Sequence, residues 1–431
     1  MAEKLRYSQA ITTLHMISMV CLTLCLVILQ GCAALRPRNP LPQNIESKVE
    51  IPGMMGVRAW GDEASEVFTQ FAIKAARQEL VYYGEEATKR PVHFLALSGG
   101  GDDGAFGAGL LCGWTAHGSR PRFKLVTGIS TGALIAPFAF LGSEYDYILR
   151  QLYTGVTSRD IFRKKSLLTV LWRESVVDTW PLARMLEIYV DESMLAAVAA
   201  EHNKGRRLII GTTQLDAQRL VLWDMGAIAA SGERDAIKLF RKVMLASASI
   251  PGAFPPQYIT VAAAGRQYEE MHVDGGTTAQ VILYEASLDP MTIFAELEHL
   301  SLGRERILYI IRNSQIKPEW ENVRPRVGAI AARAISTLIK TQGVGDLYRL
   351  YAFARRDIID YNLAAIPPDL APERPREPFN QVYMNQLFDL GYEMASNGFP
   401  WLKKPPGFDP TPVFLKPSPR VPGPLETEEK Q

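Results

Sequence analysis

VHFLALSGGGDDGAFGAGLL, residues 92–111, and FKLVTGISTG, residues 123–132, share one design: an apolar run that stops in small residues. In the first, the run ends in a string of glycines and a new apolar stretch follows. In the second it ends in G-x-S-x-G centred on Ser130, and Ala133, Leu134, Ile135 and Ala136 carry on as a helix. Glycines leave backbone N–H groups bare, and a serine on a tight strand-to-helix turn presents its hydroxyl. Together these are the oxyanion donors and the nucleophile of acyl transfer. Small residues either side of Ser130 suit a sharp elbow, because side chains there would meet neighbouring backbone. The helix N-terminus beneath it favours developing negative charge.

The same glycines fit a rival reading. Gly99, Gly101 and Gly104 satisfy G-x-G-x-x-G between a strand and a helix, as a dinucleotide site requires. Such a site also needs an acidic residue at the end of the second strand to hold a ribose. No Asp or Glu lies between Gly104 and Gly142, and no Gly-Lys-Ser/Thr follows the glycines. Nucleotide binding is therefore not expected.

Outward from this centre, strands expected at His93–Ser98 and Phe123–Gly128 alternate with helices from Gly104 and from Thr131. That order argues for an α/β protein with a mostly parallel sheet and its ligand site at the strand ends. A helix is expected over Glu63–Tyr83. Downstream, helices are expected at Tyr147–Tyr153, Leu182–Ala200, Glu233–Ala246, Val327–Thr341, Leu347–Tyr361 and Phe379–Ser396. Further strands are expected at Arg207–Thr213, Arg219–Asp224, Met271–Asp274 and Arg306–Arg312. The stretch Leu167–Trp172, between basic flanks, reads as a buried helical turn, with a membrane-touching flap as the alternative.

Composition is that of a globular chain: 431 residues, 47% hydrophobic, 22% charged, net charge +1. No basic run is long enough for a nucleic-acid surface. With 6 His and 4 Cys, no C-x-x-C and no H-E-x-x-H, neither a metal nor another cofactor is expected.

The N-terminus reads as a targeting segment. Lys4 and Arg6 precede Met16–Leu29, which is nearly all apolar and rises about 21 Å as a helix, short of a bilayer core of about 30 Å. Leu29-Gln30-Gly31-Cys32 then resembles a bacterial lipobox. The resemblance implies cleavage before Cys32 and lipidation of that residue, with Ala33 after it permitting export to the outer membrane, facing the periplasm. Several acyl chains would anchor stably. An uncleaved transmembrane anchor from near Ile11 is the alternative. With Cys21 and Cys25 removed and Cys32 lipidated, Cys112 stays single, so no intramolecular disulfide forms. The expected division is signal 1–31, tether 32–60, helical lead-in 61–91, catalytic domain 92–290, C-terminal extension 291–402 packed on it, and a Pro-rich tail 403–431.

A nucleophilic serine needs a base. Among downstream histidines His202 lies in a polar turn and His299 near a helix end, while His272 on a strand is the best placed. Beside it, Asp274-Gly275-Gly276 ends that strand with room around the carboxylate; an ordinary Asx turn is the plainer reading.

SGGGDDGAFGAGLL, GISTG, ASASIPGAFPP (246–256) and DGG (274–276) stand in the order and spacing of the patatin-like phospholipases, which the chain resembles over about 92–276. The resemblance implies a three-layer α/β/α patatin-like fold with a nucleophile elbow at Gly128 and Gly132. It also implies a Ser–Asp dyad, with Ser130 as nucleophile, Asp274 as base and Gly99, Gly100 and Gly101 as the oxyanion loop. The implied function is a serine acyl hydrolase acting on lipid or phospholipid esters through an acyl-enzyme, at a membrane reached through Cys32. A non-phospholipid esterase or acyltransferase with the same dyad, or a catalytically idle lipid-binding lipoprotein, are the alternatives. The chain departs from the family in two places. Asp102 and Asp103 stand where many members carry Arg or Lys, and Thr277-Thr278-Ala279-Gln280 follows DGG where Asn and Pro are common.

Overall fold

The computed structural model describes residues 38–63, 66–164, 174–284 and 304–408, and isolated positions between 15 and 20. Cys32, the Leu167–Trp172 segment, His299 and residues 409–431 lie outside the described residues. The strands in chain order are β1 (Arg58–Trp60), β2 (Val92–Leu97), β3 (Leu125–Gly128), β4 (Arg163–Lys164), β5 (Val177–Asp178), β6 (Arg207–Gln214), β7 (Arg219–Asp224), β8 (Gln257–Ala263), β9 (Arg266–Asp274), β10 (Arg306–Arg312) and β11 (Asp360–Ala365).

Apolar runs without alternation belong to strands covered on both faces. Four of them make the centre of the sheet: β6, β3, β2 and β10 are mutually parallel in that order, and β11 adds a fifth parallel strand. The full order is β1-β7-β6-β3-β2-β10-β11, with β7 and β1 antiparallel and the β8–β9 hairpin attached through β9 to β6. This is a nine-stranded, mostly parallel sheet; β4 and β5 form a separate ribbon.

Alternate residues feed two helical layers. Leu95, Leu97, Val126, Leu208 and Ile210 enter one core with helices Gly104–His117, Thr131–Leu141 and Gln381–Ser396. On the other face, Ala96, Leu308 and Ile310 meet Leu347, Leu350 and Ala354 of the long helix Val327–Arg356. Nearby, Ile209, Leu220 and Leu222 meet Phe68 of helix Glu66–Tyr83. Among the described residues no helix is long and apolar enough to cross a membrane.

Several expectations need correction. The stretch 32–60 is not a free tether over its second half. Val49, Ile51, Met54 and Val57 are buried in the main core, and β1 closes one edge of the sheet. Its Pro- and Asn-rich beginning concealed an apolar alternation. The helix expected at Leu182–Ala200 is two, Trp180–Tyr189 and Glu192–Asn203, because Asp191 caps the second by accepting from the Met194 N–H at 2.8 Å. Val327–Arg356 is continuous, and Tyr361 belongs to β11 rather than to a helix. Gly343 does not break the helix but makes room for the Arg312 guanidinium, whose Nη1 lies 2.2 Å from where a Cβ would stand. The start of the tail is packed too, with Phe408 against Tyr351 at 5.0 Å between ring centres.

Candidate active site

Strand β6 acts as the ruler that assembles the site. Along one edge, β3 runs parallel to it and stops with Gly128 opposite Ile210. In the same lane β9 arrives from the other direction and stops with Asp274 opposite Thr212. The two strands meet nearly end to end, and the residues just past each end come together. Ser130 Oγ donates to Asp274 Oδ2 at 2.6 Å.

The turn beyond β3 is a strained elbow. Ser130 has φ 54° and ψ −123°, a left-handed backbone that costs a non-glycine residue about 1–3 kcal/mol. The flanking glycines allow it. A Cβ on Gly128 would stand 2.4 Å from the Gly132 carbonyl oxygen, and one on Gly132 would stand 2.4 Å from that of Leu97. The Ser130 N–H donates to Ser247 Oγ at 3.0 Å, and Ser247 in turn donates to the Gly211 carbonyl at 2.7 Å. The Asp274 N–H donates to the Ser249 carbonyl at 2.8 Å. The ASAS stretch thus grips the backbone of both residues, a role its sequence did not disclose.

Asp274 is buried, and its second oxygen accepts the Gly276 N–H at 2.7 Å. Burial pushes its carboxyl up to about 7, against the pull of the hydrogen bonds from Ser130 and Gly276. A carboxylate in that range is a workable base near neutrality.

The glycine loop divides its expected donors. The Gly99 N–H donates to the Gln280 carbonyl at 3.0 Å, so it is spent inside the fold and is corrected out of the oxyanion set. Among the described residues the N–H groups of Gly100 and Gly101 have no hydrogen-bond acceptor. Gly100 lies so close to Asn313 that a Cβ would come within 1.9 Å of its carbonyl oxygen. Asn313 also ties the loop down, donating its N–H to Ser98 Oγ and its Nδ2 to the Ser98 carbonyl, both at 2.8 Å.

His272 is no partner of Ser130. It is wholly buried, with Nε2 3.0 Å from Glu270 Oε2 and Nδ1 2.9 Å from Thr212 Oγ1, and Glu270 is paired with Arg58. His202 is likewise buried, against Asp224 at 3.5 Å. Among the described residues no group of three or more His, Cys, Asp or Glu is gathered to hold a metal.

Arg374 was not legible in the sequence. From the C-terminal region it pairs with Asp103 and, at 3.3 Å, with Asp102, immediately after the glycine loop. The Phe379 N–H also reaches Asp102 at 3.1 Å, and the Tyr383 hydroxyl reaches Asp103 at 2.7 Å. Burial above all pushes Asp103 up to about 7, Asp102 adds to the rise and Arg374 opposes it. The cation missing from the loop itself is supplied from some 270 residues downstream. Arg374→Gln is expected to lower kcat about 10- to 100-fold with little change in KM, because the Asp102 carboxylate would then stand uncompensated beside a developing oxyanion. Arg374→Lys should recover part of it, and a pure KM effect in steady-state kinetics would contradict this role.

Residues 95–286 match the family model described as patatin-like phospholipase. Over that stretch, less than half of its length, the chain is similar to the patatin-like phospholipases. Asn313 and Arg374 both come from beyond the matched residues, so the C-terminal region buttresses the glycine loop. Solved structures that resemble the chain include VipD from Legionella pneumophila, at 10% identity and TM-score 0.31, covering 72% of this chain and 67% of that one. Human GIVD cytosolic phospholipase A2 is similar at 9% identity and TM-score 0.29, covering 79% of this chain and 63% of that one. No curated protein sequence matches the chain.

Proposed function

We propose that the protein is a serine-dependent lipid acyl hydrolase working through a Ser130–Asp274 dyad. The observation that carries this reading is the 2.6 Å hydrogen bond from Ser130 Oγ to a buried carboxylate whose pKa is raised to about 7.

Ser130 Oγ attacks the ester carbonyl while its proton passes to Asp274 Oδ2. The oxyanion is met by the N–H groups of Gly100 and Gly101 and by the N-terminal end of helix Thr131–Leu141. Collapse of the tetrahedral intermediate expels the alcohol, which takes the proton back from Asp274. Water then attacks the acyl-serine, hands a proton to Asp274, and the fatty acid leaves as Ser130 regains it. The backbone strain at Ser130 holds the hydroxyl in place before substrate arrives, which removes an ordering cost from the reaction.

Beside Thr131 lies a small apolar pocket of about 50 Å³, lined by Leu134, Phe138, Leu152, Val156, Leu186 and Met384, with room for no more than the first carbons of an acyl chain. Its walls suit a hydrocarbon chain and offer little to a charged one. The lipobox-like Leu29–Cys32 adds the setting. A lipidated Cys32 would hold the enzyme at the bacterial outer membrane, facing the periplasm, beside its substrate.

The test is intact mass after treatment with a fluorophosphonate. A single adduct on the parent chain and none on Ser130→Ala is the expected result. No adduct on folded parent protein, with or without vesicles, would overturn the mechanism.

A further inference from the structure

Helix Val327–Arg356 connects the parallel strands β10 and β11, so it runs back against them and starts beyond their C-terminal ends. That edge of the sheet also carries the glycine loop and Ser130. The helix passes the site at Asp346, whose Oδ2 accepts the Gln280 N–H at 2.6 Å; Gln280 in turn holds Gly99. From Leu347 onward the helix is packed on the sheet. The preceding residues, 327–342, carry it about 24 Å further out at about 1.5 Å per residue.

This outer half has an apolar stripe at Val327, Ile330, Ala331, Ala334, Ile335, Leu338 and Ile339, spaced for one helix face. Val327 is 87% exposed and Leu338 70%. The opposite face carries Arg333, Ser336, Thr337 and Lys340, and there the preceding loop folds back. Arg333 pairs with Glu321 at 3.1 Å and donates to the Glu319 carbonyl, and Lys340 pairs with Glu319 at 2.8 Å. The loop therefore partly covers Arg333 and Lys340, Ser336 and Thr337 stay exposed, and the apolar face is turned outward as well, which a helix made for water avoids. Trp320 in the same loop is 96% exposed. Between 317 and 340 stand five basic and two acidic residues, and both acids are engaged by Arg333 and Lys340. Lys317, Arg324 and Arg326 remain in excess.

We propose that the outer half of this helix, together with Trp320, is a docking surface for an anionic phospholipid membrane that seats the Ser130 edge of the sheet on the bilayer. The apolar stripe enters the acyl boundary, the tryptophan sits at headgroup level, and the excess cations meet anionic headgroups. A second copy of the chain would bring the same excess of cations rather than its complement. The surface rests on the lipid-hydrolase reading for its consequence, but its location can be tested without turnover.

The experiment places photoreactive p-benzoylphenylalanine at Leu338 in the full chain carrying Ser130→Ala. The protein is illuminated with vesicles of equal parts phosphatidylglycerol and phosphatidylethanolamine. A phospholipid adduct at this position is the expected result. A cross-link to a second copy, a cross-link to another segment of the same chain, or no adduct would each overturn the proposal. In the catalytically intact full chain, Ile335→Asp combined with Leu338→Asp should lower hydrolysis of vesicle lipid by about tenfold or more, as loss of apolar insertion predicts. Hydrolysis of a soluble short-chain ester should be unchanged; equal losses on both substrates would overturn it. An inactive parent would count against the dyad alone, since the cross-link needs no catalysis.

Discussion

Asp274→Asn is expected to lower kcat by about 10³- to 10⁴-fold, the upper range for loss of a general base, while making the folded chain more resistant to unfolding above neutral pH. Both effects have one cause. The carboxyl is buried at the junction of β3 and β9, and burial raises it from 3.8 to about 7. As a base it works only when ionised, so kcat/KM of the parent should rise with pH through about 7. For stability the sign is opposite. In the unfolded chain an Asp gives up its proton near pH 4. Between there and about 7 the native state holds a proton that the unfolded state has lost. Raising the pH across that window therefore draws the protein toward unfolding, and the contribution is gone above the folded pKa. Asparagine mimics the neutral carboxyl and carries no such penalty. Urea midpoints of parent and variant should lie close near pH 5 and separate by pH 8, the variant higher, by a few kcal/mol at most since each pKa unit is worth about 1.4 kcal/mol. Asp103, also raised to about 7, is present in both proteins and cancels in the difference. Parallel midpoints across the range would show that Asp274 is not held neutral by burial.

What the sequence disclosed and what it hid follow from the range of the forces involved. The elbow at Ser130 was legible because its requirements are local: an apolar strand, a turn too tight for side chains at Gly128 and Gly132, and a helix. Asp274 was different. Its meeting with Ser130 is set by register along β6, across 144 residues of chain, and no periodicity in either segment states it. The resemblance implies it, and the pairing of β3 and β9 along the same edge of β6 is its geometric cause. Gly99 illustrates the limit of motif reading, since a glycine in the right loop still gave its N–H to Gln280. Arg374 and Asn313 were out of reach because each acts on the glycine loop through a contact that only the finished fold creates. β11 was hidden for another reason. DYNLAA carries polar residues that suggested the end of a helix, but Asn362 is buried in the sheet and donates to the Leu308 carbonyl at 3.2 Å, so its polarity is spent internally.

Gly109→Leu is expected to destroy the fold rather than the chemistry. Helices Gly104–His117 and Gln381–Ser396 touch backbone to backbone. A Cβ on Gly109 would lie 2.0 Å from the Phe388 carbonyl oxygen, one on Gly113 2.2 Å from that of Tyr392, and one on Gly391 2.3 Å from that of Phe106. No rotamer relieves a clash that begins at Cβ and ends on main chain. The helices must separate, and the buried Phe106, Leu110, Leu387 and Phe388 lose their partners. Overpacking alone costs about 1–3 kcal/mol, and separation of this seam adds to it, so a loss above about 4 kcal/mol is expected, against a whole-domain stability of about 5–15 kcal/mol. Gly328→Ala is the matched control. That glycine is also helical, but nothing lies within 4 Å of the added carbon, so the variant should be as stable as the parent or slightly more so. Circular dichroism melts of the two variants beside the parent decide the matter. A Gly109→Leu protein melting with the parent would mean that the helices are not in contact. The seam matters to the site because helix Gly104–His117 starts where the glycine loop ends, and Tyr383 on its partner donates to Asp103. Loosening the seam therefore frees the loop, and loss of fluorophosphonate labelling at Ser130 should track the unfolded fraction.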